Sequence, residues 1–73
     1  MEFKNQFFQT WWAEIETAEA SIKYRAKNRL SEKEMAKLCR ISHPTLRKIE
    51  RGESVNPTSL YRVREKLKMD GEI

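Results

Sequence analysis

The chain carries one cysteine, Cys39, and one histidine, His43, four positions apart. Zinc needs four protein ligands in a structural site and three plus water in a catalytic one, so this pair closes no metal centre. A single thiol also forms no intrachain disulfide. Neither residue has a nucleophile or an acid pair near it in sequence, so the chain does not read as an enzyme and no cofactor is expected. Cationic chemistry remains. The chain has 15 Lys+Arg against 11 Asp+Glu, a net +4, and Arg47, Lys48 and Arg51 crowd into one short stretch. The excess is uneven. Residues 1–20 hold one Lys and four Glu, net −3, while the rest hold the other fourteen cations against seven acids, net +7. A compact basic part suits a polyanion such as nucleic acid.

The elements that position these cations must be built from little material. Seventy-three residues at 38% hydrophobic supply roughly 28 apolar side chains, enough for one domain spanning 1–73. A core of that size yields only about 3–5 kcal/mol by itself, so regular helix packing or oligomerisation must supplement it. No stretch reads as a signal peptide or a membrane span; the early uncharged run from Asn5 to Ala13 is too short. A cytoplasmic location is expected.

Two glycines, two prolines and no alternating β-branched run predict an all-α fold of about four helices. The first runs from about Lys4 to Asn28, with an apolar stripe at Phe8, Trp11, Ile15, Ala18 and Ile22 that Phe3, Phe7 and Trp12 widen. Ser31 followed by Glu34 is a capping box that starts a second helix at Glu32, with Met35, Ala36, Leu38 and Cys39 on one face. Ser42 before His43-Pro44 starts a third, His43 to Arg51, with Leu46 and Ile49 inward and Gly52 as a left-handed stop. Asn56-Pro57 starts a fourth that runs to about Met69, with Leu60, Val63 and Leu67 inward and Tyr61 at the core's edge. Arg62, Arg64, Lys66 and Lys68 read as a solvated face.

Only Arg40-Ile41-Ser42 separates the second and third helices, so they must cross steeply over Ile41, with small Ala36 allowing close approach. That is helix-turn-helix geometry. The segment LSEKEMAKLCRISHPTLRKIERG, Leu30 to Gly52, resembles the helix-turn-helix of the family of Cro and the lambdoid phage repressors, and the likeness extends to about Met69.

The resemblance implies that the third helix lies in the major groove of double-stranded DNA, with His43, Pro44, Thr45, Arg47 and Lys48 facing base edges. Arg47 or Lys48 would donate to guanine, and Thr45 and Pro44 would touch a thymine methyl. It places phosphate contacts at the start of the second helix and in the loop after the third, here Glu32, Lys33, Ser54, Val55 and Asn56, and a structural ion pair between Arg25 and Glu50; with Glu32 acidic, the expected phosphate contacts are Lys33, Ser42, Arg51, Ser54 and Asn56. Three departures stand out: Glu32 where Gln is usual, Glu53 where a basic residue is common, and Arg40 at a turn position usually held by Gly. The two acids would repel phosphate if aimed at it. A non-glycine at position 40 must adopt a left-handed backbone or alter the turn.

Residues 1–20, acidic and aromatic, are the part least like that family. They either fold back on the domain or form a dimer interface through Phe3, Phe7, Phe8, Trp11, Trp12 and Ile15, since a two-fold protein reads two half-sites. The expected function is a dimeric repressor of phage, plasmid or mobile-element type on a palindromic operator. The alternative is an antitoxin-like module that binds a protein partner through its first helix and autoregulates through the helix-turn-helix. No membrane partner is expected.

Overall fold

The computed structural model describes the backbone of residues 2–73 and the side chains of residues 11–73. Four helices follow in order: α1 (Glu2–Asn28), α2 (Glu32–Cys39), α3 (His43–Glu50) and α4 (Pro57–Met69). The architecture is all-α. At 1.5 Å per residue, α1 is about 40 Å long, which matches the 41 Å longest dimension of the chain.

Local chemistry starts each of the three later helices. The Ser31 hydroxyl accepts from Glu34 N at 3.1 Å, and Glu34 Oε1 accepts from Ser31 N at 2.8 Å. Ser42 Oγ accepts from Thr45 N at 3.3 Å, and Asn56 Oδ1 accepts from Thr58 N at 2.8 Å. Pro44 and Pro57 occupy first turns, where the missing N–H has no intrahelical partner to lose.

All four helices also end alike. Arg29, Arg40, Gly52 and Gly71 take left-handed backbones at φ 55, 61, 76 and 75. In each case the next residue's N–H reaches back five positions: Leu30 to Arg25, Ile41 to Ala36, Glu53 to Lys48 and Glu72 to Leu67, at 2.8–3.0 Å. This is the Schellman closure, which satisfies carbonyls the helix leaves unpaired. It stops α3 at Glu50, one residue before the sequence-based boundary.

The core joins Ala20 and Tyr24 of α1, Met35, Ala36 and Cys39 of α2, Leu46 and Ile49 of α3, and Val63 and Leu67 of α4. Leu30, Ile41, Val55, Leu60 and Ile73 close its edges. The stripe expected on α1 is corrected. Its buried face is Thr17, Ala18, Ala20, Ser21 and Tyr24, while Trp11 and Ile22 are 49% and 46% exposed. At 100° per residue Ile22 lies roughly 130° from the centre of the buried arc.

Hydrogen bonding explains why small polar residues displaced large apolar ones. Thr17 Oγ1 donates to Ala13 O at 2.6 Å and accepts from Arg64 Nη1 of α4 at 2.7 Å. Ser21 Oγ donates to Glu50 Oε2 of α3 at 2.6 Å. Short side chains let α3 and α4 approach α1, and their hydroxyls are satisfied, so burying them carries little penalty. Arg64 also bonds Ala13 O and Glu16, so it clamps α4 to α1 instead of joining a solvated face.

Two further positions turn outward. Leu38 is half exposed and Tyr61 is 61% exposed. Leu38 lies about 100° from the centre of the Met35, Ala36 and Cys39 arc, and Tyr61 about 125° from that of Leu60, Val63 and Leu67.

Candidate nucleic-acid interface

After Cys39 the chain reverses on Arg40, whose φ of 61 and ψ of 43 are left-handed. A side chain there costs about 1 kcal/mol relative to glycine. The turn is nevertheless fixed from three sides. Ile41 drops against the core, Ala36 is 3% exposed beneath it, and Arg62 Nη1 of α4 donates to Arg40 O at 2.9 Å. Ser42 then caps α3, so the orientation of α3 follows from three residues of turn.

Along α3 the spacing sorts the side chains. Leu46 and Ile49 are fully buried, which leaves Pro44, Arg47 and Lys48 exposed on the opposite side, with Arg51 just beyond the helix. Together with His43 they line one shallow concavity. His43 and Thr45 are half-buried, which corrects their expected exposure. Thr45 Oγ1 lies 2.7 Å from Ser42 Oγ, and His43 Nε2 lies 3.0 Å from Glu32 Oε1.

Sequence reasoning marks Glu32, the first residue of α2, only as an acid opposed to phosphate and misses its contacts with α3. Its Oε1 contacts both His43 Nε2 and, at 3.5 Å, Arg47 Nε. The hydrogen bond from His43 and then the charge of Arg47 hold the Glu32 carboxyl below its ordinary range, against the opposing effect of burial. The carboxylate aims at the two bases of α3. The capping box and the three-residue turn, both visible in the sequence, place the first residues of α2 and α3 side by side, and they are the signal that could have found it.

Lys33, Ser42, Arg51, Ser54 and Asn56 are all exposed around this surface. Three of their side chains hold bonds within the chain: Ser42 and Asn56 cap helices, and Ser54 Oγ donates to Glu14 Oε2 of α1 at 3.1 Å. Arg51 Nη1 lies 3.9 Å from Glu53. Lys33 and Arg51 supply the positive charge.

Behind α3, Arg25 Nε and Nη2 donate to Glu50 Oε2 and Oε1 at 2.9 and 2.8 Å. This bidentate pair fixes α1 to the C-terminal end of α3. The Glu50 side chain is 5% exposed and that of Arg25 22%. The pairing and the hydrogen bond to Glu50 raise the Arg25 pKa further.

On α1, Trp11 and Trp12 are 49% and 60% exposed, and Ile15 is half-buried. The side chains of Phe3, Phe7 and Phe8 lie outside the described residues. Among the described residues no three His, Cys, Asp or Glu side chains are placed to hold a metal ion. Nor is any described helix long and apolar enough to cross a membrane.

Comparison with known families matches residues 22–72 to the helix-turn-helix family. No characterised protein and no solved structure gives a significant match. The matched span covers more than half of the chain and includes α2, the turn, α3 and α4. Such a domain points to DNA-binding regulation, and the chain belongs to the helix-turn-helix family.

Proposed function

We propose that the chain is a sequence-specific double-stranded DNA-binding regulator, a homodimeric repressor that occupies a palindromic operator in the manner of the Cro and lambdoid phage repressors it resembles. It would work in a bacterial or phage-infected cytoplasm. One observation carries the reading: the outer face of α3 presents Pro44, Arg47, Lys48 and Arg51 opposite buried Leu46 and Ile49. His43 and Thr45 sit at its N-terminal end, where a recognition helix meets base edges. Lys33, Ser42, Arg51, Ser54 and Asn56 flank it as phosphate contacts.

Selection of bound sequences from a random duplex pool tests this. A two-fold symmetric site should emerge, and binding should weaken steeply between low and high salt. Arg47→Ala should lose about 1–3 kcal/mol of discrimination at one base pair. Equal binding to every duplex at all salt concentrations would refute it.

The exposed Trp12 and Ile22 on α1 favour a protein contact there. In the first reading that contact is the second subunit; in an antitoxin-like reading it is a different protein. Sedimentation decides between them. A dimer that Trp12→Glu dissociates supports the repressor. A wild-type monomer that captures the product of a neighbouring gene supports the antitoxin.

A further inference from the structure

Glu32 does something that neither its helix nor the core requires. It belongs to α2, yet the capping box uses Glu34, and its own carboxylate faces α3. The same oxygen, Oε1, serves His43 Nε2 at 3.0 Å and Arg47 Nε at 3.5 Å. Two of the five side chains assigned to base edges are thus tied to one anion.

The geometry points to Glu32 as a specificity-determining positioning residue: it orients Arg47 and His43 for base readout. This rests on the DNA-binding reading above.

The chemistry follows from which atoms the carboxylate occupies. It lies on the Nε side of the Arg47 guanidinium, an ion-pair contact at 3.5 Å, so Nη1 and Nη2 remain as the paired donors that guanine O6 and N7 accept. It also accepts from His43 Nε2, so that nitrogen carries the hydrogen, and Nδ1 of the neutral ring is an acceptor. An arginine on a flexible stem is otherwise free to swing to a phosphate, where its charge adds affinity without sequence information. Glu32 therefore exchanges affinity for discrimination: its negative charge opposes the DNA backbone, while its hold on Arg47 favours one base.

That exchange separates positioning from simple repulsion. Glu32→Gln keeps the size of the side chain and removes the charge. Binding-site selection and titrations against matched and mismatched duplexes should show tighter overall binding. They should also show the preference for guanine at the Arg47 position falling about tenfold. Tighter binding to all sequences with unchanged discrimination would overturn the inference, because Glu32 would then only repel phosphate. A second readout needs no DNA. In the free wild-type protein, under conditions where the ring is neutral, the nitrogen shifts of His43 should show the hydrogen on Nε2. Glu32→Ala should yield a mixture of tautomers, and identical spectra would overturn the coupling. If the wild type selects no sequence at all, the DNA-binding reading fails, and readout by Glu32 fails with it. A selective wild type whose Glu32→Gln variant discriminates equally well overturns this inference alone.

Discussion

Arg25 and Glu50 meet through two charge-assisted bonds, and Ser21 donates to the same Glu50 carboxylate. Two side chains of α1 thereby satisfy one nearly buried acid of α3. The arrangement is asymmetric, because Glu50 is more deeply buried than Arg25.

Removing either partner should therefore have unequal effects. Arg25→Ala strands a buried carboxylate and should cost about 3 kcal/mol, whereas Glu50→Ala leaves a cation that can still reach water and should cost less. Urea unfolding of the two variants measures the difference, and equal losses would contradict the asymmetry.

The Tyr24 hydroxyl donates to Asp70, tying α1 to the end of α4. This bond raises the Tyr24 pKa above its ordinary 10.0, with burial adding to the effect, and it lowers that of Asp70 below its ordinary 3.8. The signs define a window. The Asp70 contribution is present above the ordinary carboxylate value and is lost as pH falls through the depressed one. The Tyr24 contribution is present below the ordinary phenol value and is lost as pH rises through the elevated one. Thermal midpoints should be flat between these limits and fall outside them, and Tyr24→Phe should weaken the alkaline fall.

Two of the four left-handed helix stops are arginines. Arg29→Gly and Arg40→Gly should each stabilise by about 0.5–1 kcal/mol, since glycine takes φ near 60° without a Cβ penalty. For a chain of this size that is a rise of roughly 3–8 °C in the melting midpoint. A fall in both variants would show that the arginine side chains contribute more than their backbone strain removes.

Cys39 is 3% exposed, and burial pushes its thiol up to about 11. The thiolate is the reactive species. At neutral pH the folded protein should resist alkylation, and labelling should keep pace with unfolding as urea is added. Rapid labelling without denaturant would contradict this.

Glu14 holds Ser54 in the loop after α3. A carboxylate there opposes a DNA phosphate, so Glu14→Gln should tighten duplex binding about twofold at low ionic strength and by less at high salt. An unchanged affinity in both conditions would place the phosphate path elsewhere.

Much of this fold is legible in the sequence because helix ends are local. Ser31 with Glu34, Ser42 with Pro44, Asn56 with Pro57, and the two glycines each act within a few residues, so their spacing suffices. The face of α1 is not legible in the same way. Ile15 and Ile22 are far more apolar than Thr17 and Ser21, and Trp11 is far larger, but α3 and α4 bring partners for the two hydroxyls from 29 and 47 positions away. At the candidate interface, opposition to Leu46 and Ile49 is enough to turn Arg47 and Lys48 outward. The contact of Glu32 with His43 spans eleven positions and depends on how the turn folds back.

The internal pairing of cations also changes how the net +7 of residues 21–73 should be counted. Arg25, Lys27, Arg64 and Lys66 are committed to Glu50, Glu72, Glu16 and Asp70. Around α3, Lys33 and Arg51 are left for phosphates, since Arg47 lies against Glu32 and is assigned with Lys48 to base edges. About two neutralised phosphates per subunit give a slope of log affinity against log salt near −1.8, or about −3.6 for a two-fold dimer. The fall of affinity with salt therefore counts the cations the fold has left for phosphates, a smaller number than the composition contains.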